Sequence, residues 1–151
     1  MGRLPYQVLV ILYFREKGDV KYCVFERVSP RSQFQFIAGG GENSESPIEA
    51  ARREVFEEAG LTNVTLTQLT SVCHIPTNIF SHAQRQAWGN DTFVIPEYAF
   101  CAEVTSQTIK LSDEHLSCQW VSYDQALALL QWDSNKTALY EVRCRMSAAD
   151  K

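Results

Sequence analysis

Residues 39–61 constrain the fold of this chain more than any other segment. They start with three consecutive glycines and contain six glutamates, at positions 42, 45, 49, 54, 57 and 58. Pro47 suits a first helical turn, and in a helix that runs to about Ala59 the side chains of Glu54, Glu57 and Glu58 share one face. Like charges at this spacing repel one another, so the trio indicates a site for Mg²⁺ or Mn²⁺. A solvated acidic helix face is the alternative.

The residues around the trio add a fixed spacing. Glu45 precedes Arg53 by eight residues, so a loop entering the helix could bring the two into an ion pair. Gly60 suits the left-handed conformation that ends many helices. The full pattern is Gly39, five residues, Glu45, seven residues, then Arg-Glu-Val-Phe-Glu-Glu-Ala-Gly-Leu. This pattern resembles the signature of the Nudix hydrolases, which cleave nucleoside diphosphates linked to another group.

The resemblance implies a role for each part of the signature. Glu54, Glu57 and Glu58 would hold Mg²⁺, with Mn²⁺ as an alternative, and one of them would also take a proton from water. Which of the three acts as this base stays open. Gly39 and Gly40 would let the backbone approach the substrate phosphates closely, whereas a flexible turn is their simpler interpretation. Other positions of the signature would be structural: Glu45, Arg53 and Gly60.

Three downstream segments, 79–82, 113–116 and 132–135, are similar to segments of Nudix enzymes that hydrolyse dihydroneopterin triphosphate or dATP. By this resemblance Glu114 is a further metal ligand from a loop remote from the helix, and Arg27 contacts substrate phosphate. A solvated loop and a surface charge are the respective alternatives. The same resemblance places four residues in the substrate pocket: Phe80, Ser81, His82 and Asn135.

The predicted reaction is the hydrolysis of a nucleoside-triphosphate-like substrate to a monophosphate and pyrophosphate. Two alternatives stay within the same chemistry. Pro76 lies fifteen residues beyond Leu61, a spacing similar to that of Nudix enzymes that cleave ADP-ribose. Oxidised nucleotides such as 8-oxo-dGTP are the second alternative substrate. A nucleotide-sensing module without catalysis is a third interpretation, although such modules lack glutamates of the signature.

Composition sets broader limits. With 151 residues, 45% of them hydrophobic, the chain is expected to form a single globular domain over residues 1–151. The net charge of −4 and the absence of a basic stripe argue against a nucleic-acid partner. The apolar run at residues 8–14 is too short to cross a membrane, so we expect a cytoplasmic protein without a membrane partner. Five cysteines without paired spacing favour free thiols. Oligomeric state is not determined.

Hydrophobic patterns predict a mixed α/β fold of strands and helices. The expected strands are 6–14, 21–26, 64–74, 92–104 and 118–121. The expected helices are 47–59, 123–131 and one from 134 or 135 to about 146. Residues 27–45 are predicted to form a loop, and residues 75–90 an irregular stretch. These elements suggest a mixed sheet covered by helices, and the resemblance to Nudix hydrolases implies the same architecture.

Overall fold

The computed structural model of the protein describes residues 2–28 and 33–149. These residues form seven strands: β1 Arg3–Glu16, β2 Asp19–Arg27, β3 Phe34–Gln35, β4 Ile37–Glu42, β5 Thr67–Pro76, β6 Val94–Glu103 and β7 His115–Val121. The helices are α1 Pro47–Ala59, α2 His82–Trp88, α3 Tyr123–Leu129 and α4 Asp133–Ala149, with a 3₁₀ turn at Thr77–Ile79. The predicted class, a mixed sheet covered by helices, is confirmed.

Strand β1 is the centre of the sheet. The main path of the sheet is β3-β2-β1-β6-β5, while β4 also pairs with β1 and β7 also pairs with β2. The pairing of β1 with β6 is parallel, and the pairings of β1 with β2 and β4 are antiparallel. Because β1 has 14 residues, it is long enough to pair with β4 over its first part and with β2 over its last part. The positions of β2, β4 and β6 therefore all depend on β1.

Alternate residues of β1 enter two separate cores, as the period of a strand requires. Val8, Val10 and Leu12 pack on the side of α1, together with Val55 and Ala59 of that helix. Leu9, Ile11 and Tyr13 pack on the other side, against α3 and α4. The sheet is therefore covered by helices on both faces, and β1 is apolar throughout its middle because both of its faces are buried.

Helix α1 begins and ends as its sequence predicts. Ser46 is the N-cap, and its side chain accepts a hydrogen bond from the backbone N–H of Glu49 while the Glu49 side chain bonds back to Ser46. Pro47 occupies the first turn, and Gly60 closes the helix in the left-handed conformation with φ of 73°. A side chain at position 60 would be strained in this conformation, which accounts for the glycine.

The loop predicted for residues 27–45 is wrong in part, because β3 and β4 lie within it. Residues 29–32 of that loop fall outside the described residues. The three glycines at residues 39–41 have a low strand propensity, so the sequence favoured a loop. Their hydrogen bonding to β1 outweighs this low propensity and makes the segment a strand.

The irregular stretch predicted for residues 75–90 is also wrong in part, because it contains α2. Ser81 caps this helix in a capping box with Gln84. None of the seven helical residues is buried, so the sequence carries no apolar period that would have indicated a helix.

All five cysteines are free, as predicted. Among the described helices, none combines the length and the apolar character that crossing a membrane requires.

Candidate active site

Arg53 organises the glutamates that the sequence singles out. Its Nε and Nη2 atoms donate to the two carboxylate oxygens of Glu45 at 2.8 and 3.0 Å. The predicted ion pair between the loop and α1 is therefore confirmed. Nη1 of Arg53 donates to Glu54 at 2.9 Å and to Glu57 at 3.1 Å, and Nη2 also donates to the carbonyl oxygen of Gly40 at 2.8 Å. One guanidinium group thus fixes β4, the loop and two glutamates of α1.

The Glu54 side chain is buried next to β4. Its side chain is 10% exposed. Burial raises the pKa of Glu54 to about 7, against the opposing effect of Arg53 and with support from the charges of Glu57 and Glu58. Gly39 makes room for this group, because a Cβ atom at position 39 would overlap the Glu54 carboxyl group.

Glu58 connects α1 to the segment that precedes β7. Its Oε2 atom lies 2.6 Å from Nδ1 of the buried His115 and accepts a hydrogen bond from Ser112 at 2.9 Å. The His115 contact is close but not aligned as a hydrogen bond. Burial works to raise the pKa of Glu58, yet the contacts with His115 and Ser112 outweigh it and lower that pKa.

Glu114, a metal ligand by the family resemblance, interacts with Glu58. Burial raises its pKa, and the nearby Glu58 carboxylate raises it further. The charge of Arg27, at the end of β2, acts on Glu114 in the opposite direction. Four carboxyl groups from two remote parts of the chain therefore interact at one end of α1.

The glycines of β4 make room for side chains on both faces of the sheet. A Cβ atom at Gly40 would overlap the guanidinium group of Arg3, and one at Gly41 would overlap the ring of Tyr6. Gly39 and Gly40 were expected to let the backbone approach the substrate phosphates. In the fold they also leave room for the side chains of Glu54 and Arg3.

Residues predicted to line the substrate pocket fall in different places. Phe80 packs edge-on against Trp88 with ring centroids 5.2 Å apart. Ser81 is the N-cap of α2, and the exposed His82 borders an open groove of about 320 Å³. Asn135 is 3% exposed, and its Oδ1 atom accepts a hydrogen bond from the backbone N–H of Phe36 at 2.9 Å. The fold gives Ser81 and Asn135 clear structural roles.

A cavity of about 150 Å³ lies between the sheet and α4. Leu9 and Ala99 form part of its apolar wall, and Glu97 and Ser134 are among its polar lining residues. Glu97 is 4% exposed and accepts a hydrogen bond from Gln7 at 2.7 Å. Burial raises the pKa of Glu97, and contacts with Gln7 and Ser134 oppose this shift.

The donor set suits a hard divalent cation. Glu54, Glu57, Glu58 and Glu114 offer only oxygen ligands, and the raised pKa of Glu54 reflects first the burial of its carboxyl group and then the charges of Glu57 and Glu58. In the arrangement described here, two of these groups bond to Arg53. Within residues 2–28 and 33–149, no group of three or more acidic, His or Cys side chains is arranged to enclose an ion.

Sequence analysis missed Glu97 in the cavity lining, His115 beside Glu58, and Arg3 on the other side of β4 from Glu54. Glu97 interrupts the apolar run from Phe93 to Ala102, and this charge within a strand was a usable signal. His115 lies beside the predicted Glu114, but its contact with Glu58 depends on the pairing of β7 with β2. Arg3 carries no local signal at all.

Comparisons with known proteins give the family and the fold. The sequence profile of the NUDIX domain matches residues 3–141. Dihydroneopterin triphosphate diphosphatase of Haemophilus influenzae is 28% identical over 134 residues, which cover 87% of this chain and 83% of that protein.

Solved structures give the same result. A protein described as a NUDIX hydrolase from Listeria monocytogenes is 40% identical with a TM-score of 0.85, and the match covers 97% of each chain. Dihydroneopterin triphosphate pyrophosphohydrolase of E. coli is 26% identical with a TM-score of 0.73, over 91% of this chain and 93% of that one.

Proposed function

The chain belongs to the Nudix family and is a pyrophosphohydrolase of that family, and we propose that it hydrolyses a triphosphate attached to a nucleoside-like or pterin-like group. Water adds to one phosphorus atom as the phosphoanhydride bond breaks, and the products are a monophosphate and pyrophosphate. The proposal includes a requirement for Mg²⁺, with Mn²⁺ as an alternative, and a small-molecule substrate rather than a nucleic acid.

The observation that carries this proposal is the cluster of Glu54, Glu57, Glu58 and Glu114, with Arg53 at its edge. These four carboxyl groups would hold the cation, which when bound would activate water and neutralise phosphate charge. Arg53 keeps Glu54 and Glu57 on the same side of α1. Burial raises the pKa of Glu54 to about 7 in the metal-free protein, and a bound cation would lower it again, so this shift does not single out Glu54 as the base. The identity of the base is left open between the glutamates of α1.

The cavity beside α4 supports a substrate with a ring system. Purine and pterin rings are flat and apolar on their faces and carry N–H donors at their edges. The apolar wall of the cavity suits such faces, and the buried Glu97 carboxyl group suits such an edge. The likeness to two enzymes named for dihydroneopterin triphosphate favours that substrate class, with dATP as the nucleotide counterpart.

A substrate screen tests the proposal. The purified protein is assayed with dihydroneopterin triphosphate, dATP, 8-oxo-dGTP and ADP-ribose, each with Mg²⁺, Mn²⁺ or EDTA. Phosphate is measured before and after the addition of inorganic pyrophosphatase. We expect turnover of a triphosphate with Mg²⁺, no turnover with EDTA, and a phosphate signal that needs the added pyrophosphatase. Much faster hydrolysis of ADP-ribose would overturn the triphosphate assignment.

Glu57→Gln tests the site itself. Its carboxylate is half exposed, so the substitution removes a charged ligand without opening the core. We expect at least about a hundredfold loss of kcat. Glu16→Gln is the matched control, since Glu16 is exposed at the far end of β1, and its rate should match the unmodified protein. An unchanged rate for Glu57→Gln would remove the catalytic assignment.

A further inference from the structure

Cys23 and Cys118 are neighbours on the face of the sheet that α1 covers. Strands β2 and β7 pair antiparallel, with Cys23 opposite Trp120 and Phe25 opposite Cys118. Because residues two apart on a strand share a face, Cys118 lies diagonally across from Cys23, and the two thiols form a hydrogen bond. Cys23 is buried, whereas Cys118 is only partly buried. Solvent therefore reaches one member of the pair.

The surroundings of Cys118 favour its thiolate form. Hydrogen bonding with the Cys23 thiol lowers the pKa of Cys118 from 9.0 to about 7. Burial opposes this shift, and the charge of His115 supports it. At pH 7 about half of Cys118 is then thiolate, which is the form that reacts with oxidants. At the more exposed Cys73, partial desolvation raises the pKa instead.

Cys118 is also close to the carboxyl groups of the proposed site. The ring of Phe25, opposite Cys118, packs against the ring of His115 with centroids 5.0 Å apart. Nδ1 of His115 lies 2.6 Å from Oε2 of Glu58. An oxygen atom added to the Cys118 sulfur would enlarge a side chain in this packed row and change its contacts with Cys23 and Phe25. The side chains that position Glu58 would shift as a result.

We propose that Cys118 is an oxidation site at which a hydroperoxide reversibly inactivates the enzyme. The Cys118 thiolate attacks one oxygen atom of hydrogen peroxide, the O–O bond breaks, and the hydroxide that leaves is protonated to water. The sulfur is oxidised to a sulfenic acid, and two equivalents of an added thiol return it to cysteine with release of water and a disulfide. Cys23 acts as the hydrogen-bond donor, because diagonal neighbours lie about 7–8 Å apart, beyond the usual span of a disulfide.

Trapping with dimedone identifies the oxidised residue. The protein is treated with hydrogen peroxide and dimedone at pH 7, and the labelled fraction of each cysteine is measured by mass spectrometry. We expect Cys118 to be labelled at least about fivefold faster than Cys73 or Cys144, although both of these are exposed. Labelling of Cys118 no faster than that of Cys73 or Cys144 would overturn the proposal.

Two substitutions at Cys23 test the hydrogen bond. Cys23→Ala removes the donor and should slow the labelling of Cys118 at least about threefold, because the smaller thiolate fraction outweighs the greater nucleophilicity of a less acidic thiol. Cys23→Ser keeps a donor and should retain most of the rate. An unchanged rate in Cys23→Ala would remove the role assigned to Cys23.

Activity measurements test the inactivation, which rests on the proposed function. Turnover of the preferred triphosphate should fall in proportion to the labelled fraction of Cys118. Without dimedone, dithiothreitol should restore turnover. Cys118→Ser should resist the same peroxide treatment, whereas the matched control Cys144→Ser, on the exposed side of α4, should be inactivated like the unmodified protein.

Each outcome separates the inference from the proposed function. Full activity with Cys118 labelled, or equal inactivation of Cys118→Ser and the unmodified protein, would overturn the proposal. Should Cys118→Ser fail to fold, the proportionality measured in the unmodified protein decides. If no substrate is hydrolysed but Cys118 is labelled as expected, the proposed function fails and the reactive thiol stands.

Discussion

Glu54→Gln is expected to stabilise the metal-free protein at neutral and alkaline pH while it impairs catalysis. The Glu54 carboxyl group is buried, and its pKa is raised from 4.5 to about 7 mainly by that burial. For an acid with a raised pKa, the unfolded chain ionises first as the pH rises. The folded state therefore loses stability between pH 4.5 and about 7, and the loss persists above that range.

The magnitude follows from the two pKa values. The difference between about 7 and the ordinary 4.5 corresponds to about 3 kcal/mol of unfolding free energy at a pH above both. Little solvent discount applies, because the Glu54 side chain is only 10% exposed. Glutamine keeps an oxygen that can accept the hydrogen bond from Arg53 and never ionises. The stability of Glu54→Gln relative to the unmodified protein should thus rise by up to about 3 kcal/mol between pH 4 and 8.

Urea denaturation at several pH values between 4 and 8, with EDTA throughout, measures this difference. Glu57→Gln on the same helix is the control, because a half-exposed carboxylate keeps much of its hydration. A difference between Glu54→Gln and the unmodified protein that stays constant within about 0.5 kcal/mol across the pH range would refute the reasoning. Adding Mg²⁺ should then stabilise the unmodified protein and have a smaller effect on Glu54→Gln.

Two further substitutions probe the contacts that support the fold. Glu45→Gln weakens the two hydrogen bonds to Arg53, at 2.8 and 3.0 Å, and should lower the unfolding free energy by about 1–2 kcal/mol in urea denaturation. Glu141 on α4 accepts hydrogen bonds from the backbone and hydroxyl groups of Thr70 and Ser71 in β5. Burial works against these bonds, yet they and Arg145 lower the pKa of Glu141 to about 2. Glu141→Gln should lower stability by about 1–3 kcal/mol at pH 7 and have little effect near pH 2, because the stabilisation exists above about pH 4.5 and is lost as the pH falls.

Glu16→Gln, an exposed substitution outside these contacts, is the common control for both measurements. A Glu45→Gln protein as stable as the unmodified one would show that the loop is fixed by other contacts. An effect of Glu141→Gln that grows as the pH falls would contradict the sign derived for Glu141.

Local sequence signals predicted α1 and its contacts well. Ser46, Pro47 and Gly60 act within a few residues of the positions that they stabilise, so the bounds of α1 could be derived directly. The ion pair of Glu45 with Arg53 spans only eight residues and followed from the spacing. Such contacts depend little on the rest of the fold.

Contacts between remote segments were harder to derive. Strand β4 is a run of glycines that forms a strand only because β1 lies beside it. The contact of His115 with Glu58 requires β7 to pair with β2, and the place of Arg3 requires the glycines of β4. In each case the deciding partner is more than 30 residues away, and no local period records it.

The central place of β1 also limits how this protein can change during evolution. A one-residue insertion between Gln7 and Tyr13 would exchange the residues of the two cores and would displace β4 and β6 together. A single insertion would then disrupt both parts of the proposed site, the carboxyl groups beside α1 and the cavity beside α4. Altered substrate preference is therefore expected to arise from length changes in the exposed segment 77–93, whose residues contribute little to either core.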